Sequence, residues 1–165
     1  MRIKVWDALA IVAIAFVVWK IFIAPRSFSA PGSQPAPHAV YDRLDGGAFH
    51  VADQRGSLVF LDFYASWCTP CAIELPLVEA WARGHRDAIV VPVDVGERRA
   101  VAAAFARRHS LENVALDPSS NARALFGVEG FPTVVVIDPT SHIRAKWEGL
   151  NPAIGLAMSN AEKHL

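Results

Sequence analysis

A chain of 165 residues suits one domain plus an appendage, because domains most often run about 100 to 150 residues. Bases and acids balance at 16 each, and setting aside Arg2, Lys4, Lys20 and Asp7 of the first segment leaves 13 bases and 15 acids. The remainder has no basic footprint for nucleic acid, and because much of the 53% apolar content sits at the N-terminus, a multispanning membrane protein is also excluded.

Val5 to Ala24 is apolar except for Asp7 and Lys20. As a helix rising 1.5 Å per residue it is long enough for a hydrocarbon core of about 30 Å. Asp7 lies at one interface and Lys20 near the other, where its stem reaches the headgroups. Arg2 and Lys4 precede the span and only Arg26 follows closely, which places the N-terminus in the cytoplasm and the rest outside. A cleaved signal peptide is the rival reading, but Phe28-Ser29-Ala30 is a poor cleavage site and no cysteine follows to accept a lipid. The expected organisation is a transmembrane signal-anchor over 1–24, a Pro/Ser/Ala-rich solvated linker over 25–38, and a folded domain over 39–165. This makes a single-pass protein of the cell membrane with its domain on the periplasmic or extracytoplasmic side.

Within the domain, Leu58 to Tyr64 is a nearly continuous apolar run, followed by the β-branched Ala88 to Val95 and by Thr133 to Asp138; all three read as buried strands. Pro92 cannot donate to a ladder, so its strand is expected to be bulged or open on one side there. Helical spacing of Ile73, Leu75, Leu77, Val78 and Trp81 predicts a helix over Pro70 to Arg83, and Arg99 to His109 predicts a second. Pro76 is expected to kink the first. Asp117-Pro118 resembles a helix start running to a stop at Gly127, Ile143 to Trp147 reads as a last strand, and Pro152 opens a helix through His164. Strand-helix-strand alternation implies an α/β fold: a central mixed sheet flanked by helices, two to a face, give or take one.

The chemistry concentrates in Trp67-Cys68-Thr69-Pro70-Cys71. The two cysteines are too few and too close for a disulfide framework, and they follow a buried strand and open a helix whose first turn holds Pro70. A helix N-terminus favours an anion, so the more exposed Cys68 is the expected nucleophile, with Cys71 as the resolving thiol one turn on. A static disulfide or half of a metal site is the plainer alternative. A zinc site needs two further ligands, yet no cysteine remains, and His38, His50, His85, His109, His142 and His164 are scattered singly.

The run from Asp62 to Cys71 (DFYASWCTPC), Pro76, and the later Gly130-Phe131-Pro132-Thr133 together resemble the thioredoxin superfamily. Cys71-Ala72-Ile73-Glu74-Leu75-Pro76 resembles its membrane-anchored TlpA/ResA/DsbE-like group, which includes reductases of cytochrome c maturation. The resemblance covers Ala39 to the C-terminus. It implies a thioredoxin-like fold, a cis Pro132 facing the cysteines, and a client strand held along Phe131, Pro132 and Thr133. It also implies that Asp62, a carboxylate in an apolar strand, accepts the Cys71 proton. Its alternative is an acid reaching solvent at a strand edge. The lysine with which thioredoxin partners this acid is missing from Val90-Val91-Pro92-Val93. Glu74 is either a second proton acceptor or an acid favoured in a helix's first turns. Trp67 either shapes the client surface or packs on its loop, and Thr69 and Pro70 face the client and set the potential.

The expected cycle begins when the Cys68 thiolate attacks a client disulfide. Cys71 resolves the mixed disulfide, leaving Cys68 and Cys71 oxidised, with no bound cofactor beyond that redox-active pair. The partners implied are disulfide-bearing client proteins and a membrane electron donor for re-reduction. The same residues serve a thiol oxidase run in reverse, and an anchored copper(I)-binding module using the two thiolates is the alternative from another class.

Overall fold

Three apolar runs of the sequence become the centre of one mixed sheet. The computed structural model describes residues 11–14, 27–28 and 34–165. Among these, nine strands form the sheet: β1 (Ser27–Phe28), β2 (Gln34–Pro35), β3 (Val40–Arg43), β4 (Ala48–His50), β5 (Leu58–Tyr64), β6 (Ala88–Val95), β7 (Ala115–Asp117), β8 (Thr133–Ile137) and β9 (His142–Glu148). The order across the sheet is β1-β9-β8-β5-β6-β7-β3-β4, with β2 also on β9. Central β5 runs parallel to β6 and antiparallel to β8, and every one of its seven residues is buried.

Four helices flank the sheet: α1 (Thr69–Gly84), α2 (Arg99–His109), α3 (Ala122–Phe126) and α4 (Ile154–His164). Alternation along β5 sends Phe60, Asp62 and Tyr64 to one face and Val59, Leu61 and Phe63 to the other. On the first face Phe60 meets Trp81 of α1 edge-on at 5.2 Å, Tyr64 stacks on Phe105 of α2 at 5.4 Å, and Ile154 and Met158 of α4 complete the layer. Trp81 Nε1 donates to Ser159 Oγ at 2.8 Å, which ties α1 to α4. The second face packs on Tyr41, Phe49, Val51 and Phe126, so it carries only the short α3 with the β3–β4 hairpin. Three helices and one is the outcome of the two-per-face expectation.

The structure amends the sequence reading at several places. Asp117 ends β7 and starts no helix; its carboxylate accepts the N–H groups of Asn121 and Ala122 at 2.9 and 2.7 Å and so caps α3 from outside it. Pro92 needs no amendment: of the two expected outcomes, a bulge or a strand open on one side, the second holds. It lies directly opposite Asp62 on β5, and β7 pairs with β6 only from Val93 onward, so no partner strand needs the missing N–H. Two pieces of the expected solvated linker, Ser27–Phe28 and Gln34–Pro35, pair with β9, and the Ala36 N–H donates to Ser141 O at 2.8 Å. They cover an edge that would otherwise expose unpaired backbone groups. The expected span Val5 to Ala24 lies outside the described residues except for the helical turn at 11–14, and no described helix is long and apolar enough to cross a membrane.

Candidate functional site

Strand β5 delivers the chain to Ala65, where the Cys68 N–H turns back onto the Ala65 carbonyl at 3.0 Å and α1 begins. Cys68 is the N-cap of α1: its sulfur accepts the Cys71 N–H at 3.2 Å, and Pro70, with no N–H to leave unpaired, occupies the first turn. The two cysteines are joined as a disulfide. Cys68 is 5% exposed and Cys71 fully buried, so attack from outside reaches Cys68 first. Both are less open than a free helix end suggests, because Tyr64, Leu75, Phe105 and Phe131 pack around them.

Phe131 comes from the loop before β8, and the Phe131–Pro132 peptide is cis. Pro132 is buried and its carbonyl accepts the Gly149 N–H at 2.8 Å. Trp67, 72% exposed, meets Phe131 edge-on at 5.9 Å. Thr69 and Pro70 are exposed on the same rim. A cavity of about 380 Å³ opens beside Trp67 and Phe131, between Gly96, Arg123, Val128 and Glu129. Thr133 does not share this surface: it is buried, and its hydroxyl donates to the Gly130 carbonyl at 2.8 Å.

Behind the disulfide lies a group of buried acids. Asp62 is fully buried, and neither of its oxygens has a hydrogen-bond partner. Burial drives its carboxyl far toward the neutral form, and Glu74 and Glu79 push the same way. It does not reach solvent at a strand edge, since β5 is central. Glu74 is 1% exposed, beyond the first turn of α1, and accepts the Asn151 N–H at 2.5 Å. Burial lifts its pKa to about 7, against which the Asn151 hydrogen bond works. Glu79 is buried too, accepts the Glu112 N–H at 3.1 Å, and is raised chiefly by burial. Asp62 and Glu74 therefore face one interior region from β5 and α1, and burial raises both carboxyls above their ordinary range. Among the described residues, no three His, Cys, Asp or Glu side chains converge as metal ligands.

The sequence reading passed over two acids at the other side of the cysteine loop. Glu97 Oε2 accepts the Ser66 N–H at 2.6 Å and Oε1 accepts the Ser66 hydroxyl at 2.7 Å. Asp94 is fully buried at the end of β6. A carboxylate inside the β-branched run Ala88–Val95 is the same signal that singled out Asp62; Glu97, in a polar turn, carries none.

Residues 33–146 match the AhpC/TSA family. The chain belongs to that family. It is 29% identical to the thiol-disulfide oxidoreductase ResA of Geobacillus thermodenitrificans over 82% of this chain and 79% of that one. With ResA of Bacillus subtilis the identity is 26% over 81% and 75%. Among solved structures, that assigned to the thiol:disulfide interchange protein DsbE of Chlorobium tepidum superposes with a TM-score of 0.72 at 30% identity, covering 78% of this chain and 92% of that one. A cysteine pair at a helix N-terminus, in a thioredoxin-like fold shared with these relatives, makes this chain a thiol-disulfide oxidoreductase.

Proposed function

We propose that this oxidoreductase is anchored in the cell membrane by residues 1–24, works on the extracytoplasmic side, and reduces disulfides in client proteins as the reductases of cytochrome c maturation do. The carrying observation is the Cys68–Cys71 disulfide capping α1 beside the Phe131–Pro132 loop. The Cys68 thiolate attacks a client sulfur, the client's other sulfur leaves and takes a proton, and the mixed disulfide forms. When Asp62 is ionised, Cys71 gives it its proton and attacks the Cys68 sulfur; the Cys68–client bond breaks, Cys68–Cys71 closes, and the client sulfur leaves as a thiolate that takes a proton from water to become the second thiol. The client strand lies along Phe131 and Pro132, with Trp67, Thr69 and Pro70 forming the rim of its seat. Glu74 is a second acceptor behind Asp62. Two electrons leave with each client, so a membrane donor must return them.

Support for the anchor is the apolar run Val5 to Ala24. Support for the reducing direction is the likeness to proteins named ResA and DsbE. The test is the reduction potential of the full-length protein equilibrated with dithiothreitol and glutathione buffers. A strongly negative value is expected; a value near those of disulfide-forming oxidants, about −120 mV, refutes the reducing direction. Resistance of the protein to carbonate extraction from membranes is the matching expectation for the anchor.

A further inference from the structure

We propose that Glu97 is a positioning residue for the attacking cysteine: its carboxylate anchors Ser66, two residues before Cys68, and the buried Asp94 beside it makes that anchor proton-controlled. The inference rests on the oxidoreductase reading and adds residues to it.

The backbone sets up the contact. At the end of β6, Gly96 adopts φ +79°, and a Cβ there would come within 2.9 Å of Ser120 Oγ. Its N–H bonds the Asp117 carbonyl at 2.8 Å. The turn carries Glu97 across to the loop leaving β5, where it takes both donors of Ser66, backbone at 2.6 Å and hydroxyl at 2.7 Å. Two hydrogen bonds to one carboxylate fix the residue's position and its rotamer together. The Cys68 N–H bond to Ala65 then spans this anchored residue, so Ser66 holds the turn that presents both Cys68 and the exposed Trp67.

Asp94 makes the anchor conditional. Neither of its oxygens has a partner, and the neighbouring Tyr64 hydroxyl has none either. The titratable groups facing this corner are Tyr64 and Asp62 from β5, Glu97 from the turn after β6 and Glu79 from α1. Helix α2 presents the Phe105 ring, and Asp42, Arg98 and Arg99 line a surface cavity with Glu97, the Arg99 guanidinium donating to the Leu44 carbonyl at 3.0 Å. Burial first, and Glu97 second, raise the Asp94 pKa to about 8. Two carboxylates have no proton to share; a protonated Asp94 has a hydroxyl that can donate to Glu97, whose oxygens also accept from Ser66. Above about pH 8 Asp94 loses that donor and becomes a buried negative charge in the same low-dielectric corner, which drives the Glu97 carboxyl off Ser66.

The test is single-turnover oxidation of the reduced full-length protein by glutathione disulfide, from about pH 6 to 10. Wild type is expected to speed up as the Cys68 thiolate forms and to slow again above about pH 8. Glu97→Ala is expected to lose about tenfold at pH 7, the order of one charge-assisted hydrogen bond, and to lose the alkaline fall. Glu97→Gln, whose amide can serve both Ser66 groups, restores most of the rate without the fall. Asp94→Asn keeps the pH 7 rate and replaces the fall by a plateau. Thermal melts of the oxidised variants report folding, and Ser66→Ala, which deletes only the hydroxyl donor, is expected to lose part of the rate should Glu97→Ala not fold. Wild-type profiles in both the Asp94→Asn and the Glu97 or Ser66 variants would overturn the proposal while leaving the oxidoreductase reading intact. Absence of exchange in wild type would sink both.

Discussion

Replacing Glu74 by Gln should stabilise the oxidised protein at pH 8 and leave it unchanged at pH 4. Glu74 is 1% exposed, and burial lifts its pKa from 4.5 to about 7. Below pH 4.5 the carboxyl is protonated in folded and unfolded chains alike and contributes nothing to pH dependence. Between 4.5 and about 7 the unfolded chain ionises first and binds fewer protons than the folded one, so stability falls as pH rises. Above that window the penalty is complete. At about 1.36 kcal/mol per pH unit it amounts to roughly 3 kcal/mol. Glutamine preserves the shape and the acceptor for Asn151 N–H, held at 2.5 Å, but has no charge to desolvate. Urea unfolding followed by far-ultraviolet circular dichroism gives the comparison, and with a slope of about 2 kcal/mol per molar the midpoint should rise by roughly 1.5 M at pH 8. The difference between variant and wild type isolates Glu74 from the other buried acids. Equal midpoints at pH 8 would refute the reasoning, because they would mean that the carboxylate is ionised in the fold without cost.

Cys71→Ala should accumulate a mixed disulfide on Cys68 with a disulfide-bearing client, seen as a mass shift under non-reducing conditions, whereas Cys68→Ala should form none because Cys71 is fully buried. Asp62→Asn should slow resolution of that mixed disulfide by about 100-fold or more, the usual worth of a positioned base, in stopped-flow measurements at pH 7; an unchanged rate would remove Asp62 from the proton path. Asp138→Ala should destabilise the protein by roughly 2 kcal/mol at pH 7 and very little at pH 2. Burial opposes ionisation of Asp138, but bonds from Thr140, the His142 N–H and Arg144 outweigh it and hold the pKa down to about 2, against an ordinary 3.8. Its contribution is therefore present above 3.8 and lost as pH falls through 2.

Elements that bury an uninterrupted apolar run were legible from the residues alone. Leu58–Tyr64 and Ala88–Val95 have the bounds that their nearly continuous apolar runs indicated, because a strand buried on both faces shows as one such run, and Arg99–His109 has those that its alanine-rich stretch indicated. Short strands such as Ala115–Asp117 and Ala48–His50 were not, since three residues hold no period and their pairing is decided by what lies alongside. Asp117 illustrates the difference: Asp before Pro announces a helix start locally, yet the residue ends a strand and caps a helix that begins five residues later.

The cysteine pair and its place at a helix N-terminus were legible in the sequence, because both depend on neighbours within one turn, and the fold leaves Cys68 the more exposed of the two. Burial of the acids was only half visible. Asp62 stood out against an apolar strand, but only the packing of α1 brings Glu74 and Glu79 to the same side as Asp62, with no cation among the groups that shift it. Glu97 was silent in the sequence, since its partner Ser66 lies 31 residues away and meets it only where β5 and β6 end side by side. Chemistry carried by adjacent residues is written in the chain; chemistry that needs a charge desolvated, or a loop held by a distant carboxylate, exists only after the sheet has closed around it.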